Sequence, residues 1–140
     1  MSMEYEMTKT YRGSCHCGRV AFEAEIDLAA GTGRCNCSYC RKVRNWVAIV
    51  RPEAFRLTAG EAETKGYRFG EASPMQHCFC GQCGVRVFTR GDAPALGGAF
   101  ISVFVPALDA PEAEIAAAPV GWADGLHNDW TRPPAETRHL

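Results

Sequence analysis

The chain has 140 residues, of which 46% are hydrophobic and 22% are charged, so we expect one globular domain rather than a disordered chain. Fifteen basic and sixteen acidic side chains give a formal net charge of −1, which argues against a nucleic-acid partner, because such domains usually carry a strong positive excess. No apolar run approaches the ~18 residues of a membrane span, and the first residues show no secretory signal, so we expect no membrane segment and a cytoplasmic location.

Short strands separated by turns dominate the predicted secondary structure. In residues 18–26, Val20, Phe22, Ala24 and Ile26 alternate with polar or small residues, which is typical of a half-buried strand. Further strands are predicted at residues 46–50, 55–57, 62–69, 75–79, 85–89 and 100–105. One helical turn is predicted within residues 35–44 and two turns at 112–118, so the fold class is mainly β.

Cysteine is the outlier of the composition, with eight residues in three tight clusters. The clusters are Cys15 and Cys17, then Cys35, Cys37 and Cys40, then Cys78, Cys80 and Cys83. A disulfide bond between cysteines this close would strain the backbone, whereas their sulfurs can converge on one ion. Soft thiolates in a reducing compartment favour zinc, so we predict zinc binding. Spacing alone leaves an iron–sulfur cluster, redox or disulfide chemistry, and packing of buried thiols as alternatives.

The eight sulfurs divide into two predicted metal sites. The segment Cys80-Gly-Gln-Cys83 is typical of a zinc knuckle, and with Cys15 and Cys17 it would form a closed, structural four-sulfur site. The remaining cluster, Cys35, Cys37 and Cys40, supplies three sulfurs, and three protein ligands with an open position are typical of catalytic zinc. A zinc ion neutralised by three thiolates generates hydroxide poorly, so this site suits an incoming thiol better than a hydrolytic water.

Several residues beside these motifs have two interpretations each. Cys78 is either an extra ligand that closes the second site or a buried core thiol. His77 is either an acid–base group or a hydrogen-bond partner of a thiolate or a carbonyl. Arg41, Lys42 and Arg44 either bind the carboxylates of a glutathione-like ligand or form a solvated basic edge.

Taken together, the cysteine motifs resemble the glutathione-dependent formaldehyde-activating enzyme family, which includes centromere protein V-like proteins. The matching segments are Gly13-Ser-Cys15-His-Cys17-Gly18, Cys35-Asn-Cys37-Ser38-Tyr-Cys40, Phe79-Cys80-Gly-Gln-Cys83-Gly84 and, more weakly, Asp124-Gly-Leu-His-Asn-Asp-Trp130. The resemblance implies an Mss4-like β-tent of short antiparallel strands held by two zinc ions, with the ligand sets given above. It implies a zinc domain at residues 11–123, between a flexible N-terminus at 1–10 and a C-terminal tail at 124–140.

The resemblance also implies an activity. Members of this family act as carbon–sulfur lyases on a thiol–aldehyde adduct such as S-hydroxymethylglutathione, with glutathione or a similar thiol as co-substrate. Asn36 stands where the formaldehyde-activating branch typically has histidine, and the sequence near Tyr67 and His77 is closer to the centromere protein V-like branch. The alternative hypothesis is therefore a non-catalytic, zinc-stabilised binding module for a protein or nucleic-acid partner. The sequence leaves the aldehyde, the thiol, the direction of reaction and the oligomeric state open.

Overall fold

A computed structural model describes residues 8–140 and has a mainly β architecture, which confirms the predicted fold class. The strands are β1 (Lys9–Ser14), β2 (Ala21–Ile26), β3 (Thr32–Cys35), β4 (Trp46–Val50), β5 (Phe55–Ala59), β6 (Thr64–Tyr67), β7 (Gln76–Cys80), β8 (Arg86–Ala93), β9 (Gly98–Phe104) and β10 (Val120–Ala123). The α-helices are α1 (Ser38–Val43) and α2 (Glu112–Ala117). Single-turn 3-10 helices occupy Leu28–Ala30, Pro52–Ala54, Pro94–Leu96, Val105–Ala107 and Gly125–His127.

The strands form two sheets. Strands β1, β2 and β5 make a three-stranded antiparallel sheet, and the other seven form a sheet in the order β10-β3-β4-β9-β8-β7-β6. The pairing of β3 with β10 is parallel, so the expectation of antiparallel strands fails for this pair. Strands β1, β3 and β10 were not predicted. The last two have four residues each and contain glycine, which is too short for an alternating pattern to be recognised.

The core lies between the two sheets. The side chains of Phe22, Ala24 and Ile26 on β2 are buried, while the intervening glutamates face outward, as the alternation predicted. The ring of Phe55 on β5 packs against Phe22 at 5.3 Å and against Phe88 of β8 at 4.6 Å, so it joins the two sheets. One face of the seven-stranded sheet is thereby covered, and its other face is left for the site described below.

Both predicted terminal segments, residues 1–10 and 124–140, contain residues that the structure describes. Strand β1 begins at Lys9, inside the segment expected to be a flexible N-terminus, and residues 1–7 of that segment lie outside the described residues. The C-terminal tail runs over the surface and ends at Leu140, whose side chain is buried and whose carbonyl accepts a hydrogen bond of 3.0 Å from Arg44 Nη2. No helix in residues 8–140 is long and apolar enough to cross a lipid bilayer.

Replacing Gly13 by alanine tests the packing of β1 over the core. A Cβ atom at Gly13 would lie 2.6 Å from the carbonyl oxygen of Ala107 and collide with the ring of Phe22. We expect Gly13→Ala to lower the free energy of unfolding by about 1–3 kcal/mol, because the core must shift to admit the methyl group. Urea denaturation of the zinc-loaded protein measures this change.

The matched control is Gly33→Ala on β3. A Cβ atom at Gly33 would meet nothing within 4 Å, so we expect this variant to be as stable as the parent or slightly more stable. Equal denaturation midpoints for the two variants would contradict the packing described for β1.

Candidate metal centres and adjoining cleft

The first candidate metal centre brings together four thiols from two distant turns. The sulfur atoms of Cys15, Cys17, Cys80 and Cys83 all lie within 4.8 Å of one another. The first two residues follow β1, while Cys80 ends β7 and Cys83 lies in the turn before β8. Each turn is closed by a glycine with positive φ. Gly18 has φ 82° and donates its N–H to the Cys15 carbonyl, and Gly84 has φ 76°. Two similar knuckles therefore face each other across 63 residues of sequence.

The chemistry of this donor set fits a zinc ion. Backbone N–H groups of Val20 and Gln82 donate to the sulfurs of Cys15 and Cys80 at 3.3 Å, which stabilises thiolates. Both of these cysteines are buried, with exposures of 3% and 0%, and burial raises the pKa of the Cys15 thiol to about 11. Hydrogen bonds from backbone amides lower the pKa of Cys83 to about 6. Buried thiolates need a compensating cation, and four sulfurs close the coordination sphere of a tetrahedral ion.

The second candidate metal centre is formed by Cys35, Cys37 and Cys40, whose sulfurs also lie within 4.8 Å of one another. Cys35 ends β3, Cys37 caps α1, and Cys40 lies within this helix. Cys37 Sγ accepts the N–H of Cys40 at 3.3 Å, and the amide of Asn45 donates to Cys40 Sγ at 3.6 Å. Hydrogen bonds from the neighbouring thiols lower the pKa of Cys37, and the same contacts raise that of Cys40. These donors hold the three sulfurs in position to bind one zinc ion.

The second centre differs from the first in the number of its ligands. Within residues 8–140, no fourth cysteine, histidine, aspartate or glutamate joins this group. Cys78 belongs to neither group; it lies in the hydrophobic core, and its sulfur is 3.7 Å from the Gln76 carbonyl oxygen. The structure therefore does not bring Cys78 to the position of an extra ligand. An ion on these three sulfurs would have a coordination position left for a ligand from outside the chain.

All three thiols of the second centre line a cleft of about 820 Å³ on the uncovered face of the seven-stranded sheet. The wall of the cleft includes five aromatic side chains besides His77: Tyr39, Phe69, Phe100, Trp122 and Trp130. Two arginines, Arg34 and Arg86, also line it, while no aspartate or glutamate of the described chain does. The cleft therefore combines a thiol group, an excess of positive charge and a largely apolar wall.

Arg86, Thr89 and His77 form a hydrogen-bonded chain in the wall of the cleft. The buried guanidinium of Arg86 donates to Asn45 Oδ1 and to Thr89 Oγ1, and its exposure is 7%. Thr89 Oγ1 also lies 2.8 Å from His77 Nδ1, and the ring of Tyr39 stacks on the imidazole at 3.9 Å. Burial and the nearby Arg86 charge lower the pKa of His77 to about 4, so the imidazole is neutral at pH 7.

The basic residues that the sequence suggested as a carboxylate site lie elsewhere. Arg41 and Lys42 are exposed on α1, and Arg44 binds the Leu140 carbonyl; none of them lines the cleft. Sequence reasoning missed Arg34, which packs over the ring of Trp46 at 4.7 Å, and it missed Arg86. A usable signal existed for Arg86, because an arginine inside an otherwise apolar strand is unusual and calls for a functional or pairing explanation.

Asn36 ties the C-terminal segment to the second centre. Its Nδ2 donates to Asp124 Oδ1 at 2.8 Å, and its Oδ1 accepts the N–H of Leu126 at 2.9 Å. The buried amide therefore supplies both a donor and an acceptor at this position. Gly125 is held against the centre, since a Cβ atom there would lie 2.6 Å from Cys35 Sγ. The segment that the sequence predicted as a surface tail thus covers one side of the cysteine group.

Comparisons with known proteins agree with this architecture. The family model described as glutathione-dependent formaldehyde-activating enzyme matches residues 10–122, a range that includes all eight cysteines. A crystal structure of a Rhodobacter sphaeroides protein, determined in a structural-genomics programme, is similar with a TM-score of 0.64 and 28% sequence identity. The similarity covers 79% of this chain and 99% of that chain.

Substitution of Gly125 tests the geometry of the second centre. We expect Gly125→Ala to weaken zinc binding at this centre about tenfold or more, because the new methyl group displaces the Cys35 sulfur or the segment that covers it. Competition with a chelator of known affinity measures the effect, and the first centre should be unaffected.

The matched control for this experiment is Gly121→Ala on β10. A Cβ atom there would lie 3.6 Å from the Thr32 carbonyl oxygen, which is an ordinary contact, so zinc affinity should not change. Equal zinc release from the two variants would contradict the close packing of Gly125 against Cys35.

Proposed function

Because the chain belongs to the glutathione-dependent formaldehyde-activating enzyme family, we propose that it is a zinc-dependent carbon–sulfur lyase acting on a thiol–aldehyde adduct such as S-hydroxymethylglutathione. The second cysteine group is the main support for this proposal. Its three thiols face a cleft, and the described chain adds no fourth ligand to them. The four-thiol centre has a structural role instead, because its sulfurs already fill a tetrahedral site.

The reaction needs a thiolate close to a carbonyl carbon. A zinc ion on Cys35, Cys37 and Cys40 would lower the pKa of an incoming thiol and hold it as a thiolate. In the direction of adduct formation, a bond forms between the thiol sulfur and the aldehyde carbon, and the carbonyl oxygen gains the proton that the thiol gives up. The lyase direction reverses both changes, so the protein must hold the sulfur and supply or accept one proton.

The arginines of the cleft account for binding of an anionic thiol. Arg34 is half-buried and has no ion pair within residues 8–140, so its guanidinium is available for the carboxylate of a glutathione-like molecule. Arg86 is buried with both Nη atoms engaged, and a thiolate at Cys40 would interact favourably with its charge. We assign carboxylate binding to Arg34, and to Arg86 the compensation of the thiolate charge.

His77 has the properties of a neutral hydrogen-bond donor in this cleft. The Thr89 hydroxyl accepts a hydrogen bond from Arg86, so its own hydrogen is free to donate to His77 Nδ1. This arrangement places the imidazole proton on Nε2, for which the described residues provide no hydrogen-bond partner. A neutral imidazole with a free Nε2–H can donate a hydrogen bond to the adduct oxygen and stabilise the negative charge that develops on it.

Titration with glutathione tests the thiol-binding role of the second centre. We expect glutathione to change the visible absorption of the cobalt-substituted protein, because a new sulfur ligand enters the coordination sphere. In Cys40→Ser, which lacks one of the three sulfurs, this response should be lost while the far-UV circular dichroism stays the same. Cys78→Ser, which alters a thiol outside both groups, should retain the response.

Two results would oppose the proposed function. One is an unchanged spectrum when glutathione is added to the cobalt-substituted parent protein. The other is X-ray absorption data that give four protein sulfurs at the second centre, since a closed site favours the zinc-stabilised binding module.

Substitution of Arg34 tests the assignment of carboxylate binding. We expect Arg34→Gln to raise the dissociation constant of glutathione about tenfold, because a charge-assisted hydrogen bond is lost. Arg41→Gln, on the exposed face of α1, should have no effect. Neither variant should alter binding of 2-mercaptoethanol, which has no carboxylate. A larger effect of Arg41→Gln than of Arg34→Gln would contradict this assignment and place carboxylate binding on α1 instead.

A further inference from the structure

The cleft has two chemically different ends. A row of paired residues, Ile49, Ser102, Thr89 and His77, crosses four neighbouring strands on its floor. Asn45, whose amide donates to Cys40, comes just before β4, and Ile49 follows four residues later. Because a strand rises roughly 3.3 Å per residue, these positions are about 13 Å apart. The cleft therefore extends well beyond the thiol group.

The far end of the cleft, here called the hairpin end, is formed by apolar residues on β4, β9 and two hairpin loops. It consists of Ile49, Phe69, Met75, Leu96 and Phe100. Phe69 and Leu96 come from the turns that precede β7 and β9, and their exposures are 58% and 37%. No charged side chain of the described chain belongs to this end, and both arginines of the cleft are outside it.

The floor of the hairpin end is already formed without a ligand. Gly91 pairs with Phe100 across β8 and β9. A side chain at Gly91 would collide with the Phe100 ring and the Met75 sulfur, so glycine allows both side chains to pack over the strand. The apolar surface is thus part of the folded sheet, and an apolar ligand could bind without rearrangement of the backbone.

The size and polarity of this end do not match a formaldehyde adduct. Formaldehyde contributes one carbon and one oxygen, which would lie beside the thiol group, while the cleft has about 820 Å³. The charged ends of glutathione would lose hydration against the hairpin end, and no charged side chain of the described residues lines it to compensate. Resting on the proposed function, we propose that the aldehyde part of the natural adduct carries an aromatic or branched alkyl group that occupies the hairpin end.

Two thiols that differ in their apolar part test this inference. In 3-phenylpropane-1-thiol, two methylene groups join a phenyl ring to the carbon bonded to sulfur, so the apolar group extends from that carbon as in the proposed adduct; 2-mercaptoethanol has no such group. We expect the phenyl compound to bind the cobalt-substituted protein about tenfold more tightly or better, since the hairpin end removes the ring from water. The change in visible absorption gives both dissociation constants.

A pair of leucine variants locates the binding. Leu96→Ser should weaken binding of the phenyl thiol about fivefold and leave that of 2-mercaptoethanol unchanged. Leu126→Ser is the matched control, because Leu126 is also exposed, at 51%, but does not line the cleft. Equal affinities for the two thiols, or equal effects of the two variants, would overturn the inference while the thiol-binding function stands.

A ligand without sulfur separates this inference from the proposed function. If no thiol changes the cobalt spectrum, the proposed function fails. Binding of 3-phenylpropan-1-ol to the zinc-loaded protein then tests whether the hairpin end binds an apolar ligand. Shifts of the amide resonances of Phe69 and Leu96 that weaken in Leu96→Ser would support an apolar ligand at the hairpin end. No shift at these residues would overturn it.

Discussion

The convergence of four thiols on one point determines how the two sheets of this protein are joined. Cys15 and Cys17 follow the first strand of the small sheet, whereas Cys80 and Cys83 belong to the hairpin between two strands of the large one. Two of the sulfurs are buried and accept backbone hydrogen bonds, so as thiolates they need a cation at their centre. A zinc ion there would fix the small sheet over one face of the large one and leave the opposite face open for a ligand.

The second cysteine group also offers sulfur ligands, but it has a different place in the fold. Its three residues lie within six positions at the end of β3 and the start of α1, so local backbone geometry suffices to bring their sulfurs together. Distant residues supply the surroundings instead: Asn45 donates to one sulfur, and Gly125 packs against another. The first group thus connects distant parts of the chain, while the second presents its sulfurs to the cleft.

The features that could be predicted from the sequence are those that depend on residues close together in the chain. The division into groups of four and three thiols follows from cysteine spacing, and strands such as β2 follow from alternation of apolar residues. Contacts between distant residues could not be predicted in this way. The parallel pairing of β3 with β10, the role of Asn36 in holding Asp124, and the position of Arg34 in the cleft all depend on how segments nearly 90 residues apart meet. Arg41 and Lys42 were plausible by sequence distance from Cys40, but the helix turns them to solvent.

The distribution of charge in the cleft limits which ligands can bind beside three thiolates. A fourth thiolate adds negative charge, and Arg86 is fixed next to Cys40 by Asn45 and Thr89, so a positive charge is already in place. Keeping this guanidinium buried without a carboxylate partner costs free energy in the free protein, and an anionic sulfur would recover part of that cost. Farther along the cleft, no charged side chain of the described residues lines the hairpin end. The ligand that satisfies both ends is anionic at its sulfur and apolar in the carbon chain beyond it.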